Sequence, residues 1–523
     1  MAFVALLKDC TQKKDLYRGM RAHASILKKG LLERSPYVGN TLVSMYAKCG
    51  MITKAHQVLE NLPFRDVVSW SALISGYTHL GQCEEAMKAY EEMQSDGFSS
   101  DSVTYTSLLK ACGSIPAIKK GRLIHSEIVN KGLLESNKHV VLSNALVDMY
   151  AKLGVLIEAK HVLCEMATRN VATWNALITG YIRLGQDEGA INCFECMKNE
   201  GTAPNSITFT CILKACGRMR KLCMGEEVHD EIMARRLLKD DDVRLGNALI
   251  DMYARCGCLV KARKALYDLG LTRNKVSWNA LISGYSQQCR AEEALDCLES
   301  MRQDGILPDE ITFTCILKAC GSMGAFDKGK EIHDEIDKQG LLEKDAVLGT
   351  ALVDMYARCG ALPKAYEVLQ KLPNRNIISW NALISGYAQG GQGIEVMTCF
   401  KQMLCEGLTP NIVTFSCLLN ACSHSGLVDE GETCFVNMSQ SHGMFLDLEH
   451  YTCMVDIFGR AGHLDKAVMA IKEMPCSDYP PVWAALLGAC RKWGYVNLGR
   501  FAFKNASQLH SNNDARLQGS RSR

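Results

Sequence analysis

Residues 67–77 read VVSWSALISGY, and the string comes back as VATWNALITGY at 171–181, KVSWNALISGY at 275–285, IISWNALISGY at 377–387 and, more loosely, PPVWAALLGAC at 480–490. The tryptophans at its centre, Trp70, Trp174, Trp278, Trp380 and Trp483, are spaced 104, 104, 102 and 103 residues apart. Self-similarity at a fixed step marks a repeat array, so the 523 residues need not divide into the three or four domains their number suggests. Two further strings subdivide each period. SVTYTSLLKAC at 102–112 returns as SITFTCILKAC at 206–216, EITFTCILKAC at 310–320 and IVTFSCLLNAC at 412–422. The third reads YVGNTLVSMYAKCG at 37–50, VLSNALVDMYAKLG at 141–154, RLGNALIDMYARCG at 244–257, LGTALVDMYARCG at 348–360 and HYTCMVDIFGRAG at 450–462.

The result is a three-step cycle of about 35, 36 to 38 and 31 or 32 residues, run about four times. Inside one step, Trp278, Leu281, Ile282 and Tyr285 fall at helical spacing; glycine and polar residues interrupt, and Ala294, Leu295, Leu298 and Met301 resume it. Each step therefore predicts a helix, a short turn and a second helix. Gly97, Gly201, Gly305 and Gly407 suit helix C-terminal caps, and Pro204, Pro308 and Pro410 end the second helix. One such hairpin cannot bury both its apolar faces, so neighbours must stack.

Composition agrees with that plan. Hydrophobic residues make up 47% and charged ones 22%, with 11 prolines, which leans towards a helical globular chain. The formal charge of +2 excludes a chain that holds nucleic acid by bulk positive charge alone, although a local basic stripe is compatible with it. Twenty-five cysteines at recurring helical positions, with no signal peptide, indicate a reduced setting and not a disulfide scaffold. No apolar run approaches the 18 to 20 residues needed to span a bilayer, so no membrane partner is expected. Met1 to Gly30 (FVALLKDC, then GMRAHASILKKG) reads as a helical pair already under way, and no presequence is visible in it.

These strings closely resemble the pentatricopeptide repeat family of plant organelles, specifically its PLS class, in which P, long and short repeats alternate. Tetratricopeptide arrays keep a constant 34-residue step and a different signature. The resemblance covers residues 1 to about 500 and implies an all-α fold, a right-handed superhelical solenoid. By phase the units are 1–35, 36–66, 67–101, 102–139, 140–170, 171–205, 206–242, 243–274, 275–309, 310–345, 346–376, 377–411, 412–447 and 448–478. Residues 479–505 resemble the first half of the family's E extension, and the polar tail 506–523 is expected to be disordered. Relatives often continue into a C-terminal DYW deaminase domain; the resemblance stops before it, so editing by this chain alone is not expected.

In the family, the fifth residue of a unit and its last residue together touch one base. Here the resemblance assigns that role to Asn40 with Asp66, Ser71 with Asp101, Asn144 with Asn170, Asn175 with Asn205, Asn247 with Asn274 and Asn279 with Asp309. Thr350 with Asn376, Asn381 with Asn411 and Thr452 with Asp478 complete the set. The long units carry Thr106 with His139, Thr210 with Asp242, Thr314 with Asp345 and Ser416 with Asp447, pairs that read weakly. Short side chains with donors and acceptors suit an unstacked base edge. The same residue types also cap helices. Thirteen consecutive restricted pairs favour the reading role, with which capping is compatible. The family's pairing rules then give, 5′ to 3′ from residue 36, U-G-x-Y-Y-x-Y-U-x-A-Y-x with a weak G at the end.

Other motifs resolve into packing. His125-Ser126-Glu127 imitates a zinc deaminase motif, but His229-Asp230-Glu231 and His333-Asp334-Glu335 occupy the same place, and no Pro-Cys-x-x-Cys partner exists. Cys193 with Cys196 and Cys256 with Cys258 lack a second pair at zinc spacing and are expected to pack between helices. Cys112, Cys216, Cys320, Cys422 and Cys490 repeat at one helical position, as do the tryptophans, and both series read as core. Basic pairs such as Lys119-Lys120 and Arg235-Arg236 are assigned no site. No phosphate-cradling loop, nucleophile elbow or paired carboxylate stands out, so no enzymatic activity and no cofactor is expected. The expected partner is single-stranded organellar RNA, bound by a monomer in the mitochondrion or, alternatively, the chloroplast. A deaminase-bearing pentatricopeptide repeat protein and organellar editing factors would join in trans. Transcript protection by occupancy and a protein-binding scaffold without RNA are the alternatives.

Overall fold

In a computed structural model the chain is described over residues 2–134, 140–166, 168–238, 243–342, 345–440, 443–476 and 479–507. Every regular element among these residues is helical. Two compact bodies form, one up to Thr272 and one from Arg273 onwards.

The hairpin is visible in residues 67–101, with helices Val67–His79 and Cys83–Ser95, and again in 377–411, with Ile377–Gln389 and Gly393–Cys405. Gly81 and Gly97 hold φ of 74° and 80°, the left-handed region that lets the chain leave each helix without a Cβ clash. Residues 479–507 add the helix Pro480–Trp493 and a second helix over 496–507.

In the first body Pro36–Lys48 packs on Val67–His79, which packs on Ser102–Ser114 and it in turn on Val140–Lys152. In the second, Lys275–Gln287, Glu310–Met323, Ala346–Arg358 and Ile377–Gln389 follow one another in the same way. Each second helix lies against its own first helix and the first helix of the next unit, while second helices of successive units barely meet. Within each body the first helices thus form the crowded inner layer and the second helices a splayed outer one.

Glycine sets how close the inner helices come. A Cβ on Gly76, Gly180 or Gly386 would lie 2.6, 2.8 or 2.7 Å from the Cβ of Ala47, Ala151 or Ala357 on the preceding first helix. Glycine inside a helix costs about 1 kcal/mol relative to alanine, and here the close crossing requires it. The tryptophans fill the space beside that crossing: Trp70, Trp174, Trp278 and Trp380 are buried. Trp380 Nε1–H donates to Glu406 Oε2 (2.9 Å) and Trp278 Nε1–H to Asp304 Oδ2 (3.3 Å). The same two carboxylates meet Arg375 (2.8 Å) and Arg273 (3.4 Å).

Cys112, Cys216, Cys320, Cys422 and Cys490 are buried. Burial pushes the Cys216 thiol up to about 11 and the Cys422 thiol up to about 12, which keeps both protonated and unreactive. One packing expectation needs correction. Cys193 is buried, but Cys196 is exposed, because helix Asp187–Asn199 buries the face that carries Ala190, Phe194 and Met197. Among the described residues no helix is long and apolar enough to cross a membrane.

Candidate functional site

The last residue of a unit proves to be the N-cap of the next unit's first helix. Asp66, Asp101, Asn170, Asn205, Asn274, Asp309, Asn376 and Asn411 hold extended backbone, and each side chain accepts the backbone N–H three residues on. Such a cap contributes about 1 kcal/mol by satisfying an orphan donor. Asp345 and Asp447 cap their helices through the second and third N–H groups. His139, Asp242 and Asp478 lie outside the described residues.

The fifth residue reaches across the hairpin to that cap. The amide Nδ2 of Asn175 donates to Asn205 Oδ1 (3.0 Å), that of Asn279 to Asp309 Oδ1 (3.0 Å) and that of Asn381 to Asn411 Oδ1 (3.1 Å). Asn40 donates to Asp66 Oδ2 (2.8 Å) and Asn144 to Asn170 Oδ1 (3.4 Å), while the Ser71 hydroxyl, which donates to Val67 O (2.7 Å), lies 3.3 Å from Asp101 Oδ1. These residues, 26 to 30 apart in sequence, form joined polar pairs.

A third member completes several pairs and was not singled out from sequence: the third residue of the following unit. The hydroxyls of Thr208, Thr312 and Thr414 donate to Oδ1 of Asn175, Asn279 and Asn381 at 2.6, 2.6 and 2.8 Å, and Thr173 does so to Asn144 at 2.7 Å. With Oδ1 held inward, each asparagine must turn its amino group towards the cap. Thr104 meets Ser71 in the same way at 2.5 Å. Burial raises the Asp309 carboxyl, but the Thr312 N–H, the Asn279 amide, the Thr312 hydroxyl and the Lys275 charge outweigh it and hold the group below its ordinary range.

Long units differ. Thr106, Thr210 and Thr314 spend their hydroxyls on carbonyls of their own helix, at Ser102, Ser206 and Glu310 (2.7 Å each). The third residue of the following unit is a buried leucine, Leu142, Leu245 or Leu348. Thr350 and Thr452 likewise bond Ala346 O (2.9 Å) and Leu448 O (2.7 Å), while Asn376 accepts from the Ser379 N–H (2.9 Å). Asn247 is half-buried in Val243–Arg255 of the first body, and Asn274 opens Lys275–Gln287 of the second.

Asn175, Asn279 and Asn381 are only 8, 8 and 7% exposed, so they present an edge and not a face. The caps beside them are more open, and so is the second residue of many first helices. In the first body Tyr37, Val68, Val103, Val141 and Ile207 are exposed; in the second, Val276, Ile311, Val347, Ile378 and Val413. Residues two and five are i and i+3 neighbours on a helix, so an apolar side chain stands beside each polar pair. Around Asn40 and Asp66 these features enclose a cavity of about 700 Å³, lined also by Tyr37, Val68, Lys8 and Lys48. An apolar wall, a small polar pair and nearby cations match the face, the edge and the phosphate of an unpaired nucleotide. The signal was in the sequence, since β-branched residues on a solvent-facing helical phase serve neither the core nor helix propensity.

The deaminase-like tripeptide is absorbed by packing: His125 Nδ1 meets the Tyr150 hydroxyl (2.9 Å), and Glu127 Oε2 accepts from Tyr90 (2.7 Å) and Tyr105 (3.1 Å). Among the described residues no group of three or more metal-capable side chains gathers.

Stacked helical hairpins, several of which end in a cap residue that bonds the fifth residue of its own unit, define a helical-repeat protein. The descriptions "PPR repeat family", over 65–114, 169–218, 273–322 and 375–424, and "PPR repeat", over 40–66, 141–171, 247–269, 311–341, 350–377, 413–442 and 449–479, match the chain. The chain belongs to the pentatricopeptide repeat family. It is 32% identical over 98% of its length, and 73% of the relative's, to the mitochondrial pentatricopeptide repeat-containing protein At2g03380 of Arabidopsis thaliana. To the mitochondrial At1g06140 of the same plant it is 35% identical, over 94% of this chain and 88% of that one. The crystal structure of the pentatricopeptide repeat protein PPR10 from maize superposes with a TM-score of 0.56 at 17% identity, covering 98% of this chain and 89% of that one. PPR10 in complex with an 18-nt psaJ RNA element gives the same TM-score at 21% identity, over 97% and 79% of the two chains.

Proposed function

We propose that this chain is a sequence-specific single-stranded RNA-binding protein of a plant organelle that reads one base per hairpin and catalyses nothing itself. The observation that carries the reading is the polar pair flanked by an exposed aliphatic or aromatic side chain, as in the cavity around Asn40 and Asp66. The RNA bound by maize PPR10 and the mitochondrial relatives support the partner and the compartment.

The cap residue sets the sense of the readout. Asp309 Oδ1 is taken by Thr312 N–H and Asn279 Nδ2–H, which leaves Oδ2 as an acceptor for a base that carries N–H on its Watson–Crick edge, uracil or guanine. Asn205 and Asn411 use Oδ1 identically and leave an amino group, a donor for cytosine or adenine. The fifth residue supplies the second contact. The pairs together propose the string U-G-x-Y-Y-x-Y-U-x-A-Y-x with a trailing G.

Alternating unit lengths support a PLS-class reading, with 479–505 as an E-type extension, and with it the role of a specificity factor for C-to-U editing whose deaminase comes in trans. Selection from a random RNA library by the purified protein tests the first step: enrichment of the string supports it, and enrichment of nothing refutes it. Organelle transcriptome sequencing of a null mutant tests the second, because loss of one edited site separates editing from protection of a transcript end.

A further inference from the structure

The long unit 412–447 differs from the other long units in the residue that packs behind its pair. Where their following units carry Leu142, Leu245 and Leu348, the unit after it carries His450, 1% exposed. His450 bridges the fifth and last residues of its preceding unit, a link that Leu348 cannot make between Thr314 and Asp345. Its Nδ1 lies 2.6 Å from Asp447 Oδ1, and its Nε2 lies 3.0 Å from the Ser416 hydroxyl. The Ser416 hydroxyl donates to Ile412 O (2.9 Å), so Nε2–H donates to Ser416 Oγ, while Nδ1 faces both Asp447 Oδ1 and the Asp447 N–H (3.3 Å). Asp447 Oδ1 also takes the N–H groups of Glu449 and His450, each at 3.0 Å, which leaves Oδ2 outward on a half-exposed side chain.

The connectivity reproduces the Ser71, Thr104 and Asp101 trio, in which Thr104 stands 2.5 Å from Ser71 and 2.7 Å from Asp101. We propose that unit 412–447 reads a base through Ser416 and Asp447, with His450 as the positioning residue, while units 102–139, 206–242 and 310–345 do not. The base is guanine: its N1–H and N2–H donors match two acceptors, Asp447 Oδ2 and the remaining lone pair of Ser416 Oγ. This rests on the reading proposed above and fills the twelfth, blank place of its string with G.

The test uses the full chain and four RNAs of that string that differ only at the twelfth base, with dissociation constants from fluorescence anisotropy. The expected result is that G binds about tenfold tighter than A, C or U, the scale of one base contact. His450→Leu should erase that preference and leave selectivity at the eleventh base, read by Asn381 and Asn411, intact. His450→Thr should restore it through the Ser71-like arrangement. Thermal unfolding by circular dichroism checks that both variants fold. Equal binding of the four RNAs by the wild type, with the eleventh base still discriminated, overturns this inference and spares the general reading. A uniform loss of affinity in His450→Leu with the G preference kept overturns the positioning role. Absence of selectivity at every base removes both.

Discussion

Replacing Asp309 by asparagine changes one atom pair and should invert one letter of the recognition string. The cap survives, because Asn205 and Asn411 already accept the third N–H at 3.1 and 3.0 Å and the fifth-residue amide at 3.0 and 3.1 Å, against 3.0 and 3.0 Å at Asp309. Asparagine and aspartate rank together as caps, so folding stability should move by no more than about 0.5 kcal/mol. What changes is the outward atom, from the acceptor Oδ2 to a donor amino group. Uracil N3–H then faces another donor, and cytosine N3 gains a partner. A base contact of this kind is worth about 1 to 3 kcal/mol, or about 5- to 150-fold in the dissociation constant. Competition anisotropy with RNAs that carry U or C at the eighth position should therefore show U preferred by the wild type and C by the variant, with the other twelve positions unaffected. The carboxylate is held below its ordinary range, so the wild-type preference should persist to about pH 5. An intact variant that still prefers U, or one that changes preference elsewhere, would refute the assignment of Asp309 as the acceptor.

Three further outcomes are expected. Gly386→Ala places a Cβ 2.7 Å from that of Ala357 and should destabilise the second body by about 1 to 3 kcal/mol in urea unfolding, whereas an unchanged midpoint would show that the helix crossing yields. Val276→Ser, at a side chain 60% exposed, should leave folding untouched and weaken RNA by about 1 kcal/mol whatever base sits opposite; a loss confined to one base would contradict a purely apolar wall. Burial holds His23, His125, His229 and His333 below their ordinary values, each with Nδ1 on a tyrosine hydroxyl. The unfolded chain takes up protons near pH 6.5 before the folded one does, so the urea midpoint should be flat above about pH 7 and fall as pH drops below about 6.5. A midpoint independent of pH between 7.5 and 5.5 would contradict this.

The stack was legible because its demands repeat. A tryptophan, an in-helix glycine and a left-handed glycine each answer one packing problem, and the problem recurs every unit, so Trp70, Gly76 and Gly81 are echoed at Trp174, Gly180 and Gly185. The joined polar pair was less legible. Asn279, Asp309 and Thr312 are up to 33 residues apart and lie in two units, so no single helix displays their contact. Thr312 had a visible local role, the capping box, that conceals its second one. The exposed row at Val276, Ile311 and Ile378 was readable in principle, but inside strings as apolar as KVSWNALISGY its helical phase is easily taken for core. Cys196 was misjudged for a related reason: a CxxC spacing does not say which cysteine faces the neighbour.

The geometry also explains why so few residue types occur at the reading positions. A residue that must cap a helix and face a base can vary only among side chains that cap well, and among those aspartate and asparagine have the same shape with opposite hydrogen-bonding sense. The cap therefore offers a two-way choice, acceptor or donor, at nearly constant stability. The fifth residue is confined in another way. Packed between first helices at under a tenth exposure, Asn175, Asn279 and Asn381 leave room for little beyond asparagine, serine or threonine, and a larger side chain would force the inner layer apart. Base identity can thus change from unit to unit while the stack keeps one geometry, because the letters are carried by substitutions to which the fold is nearly indifferent.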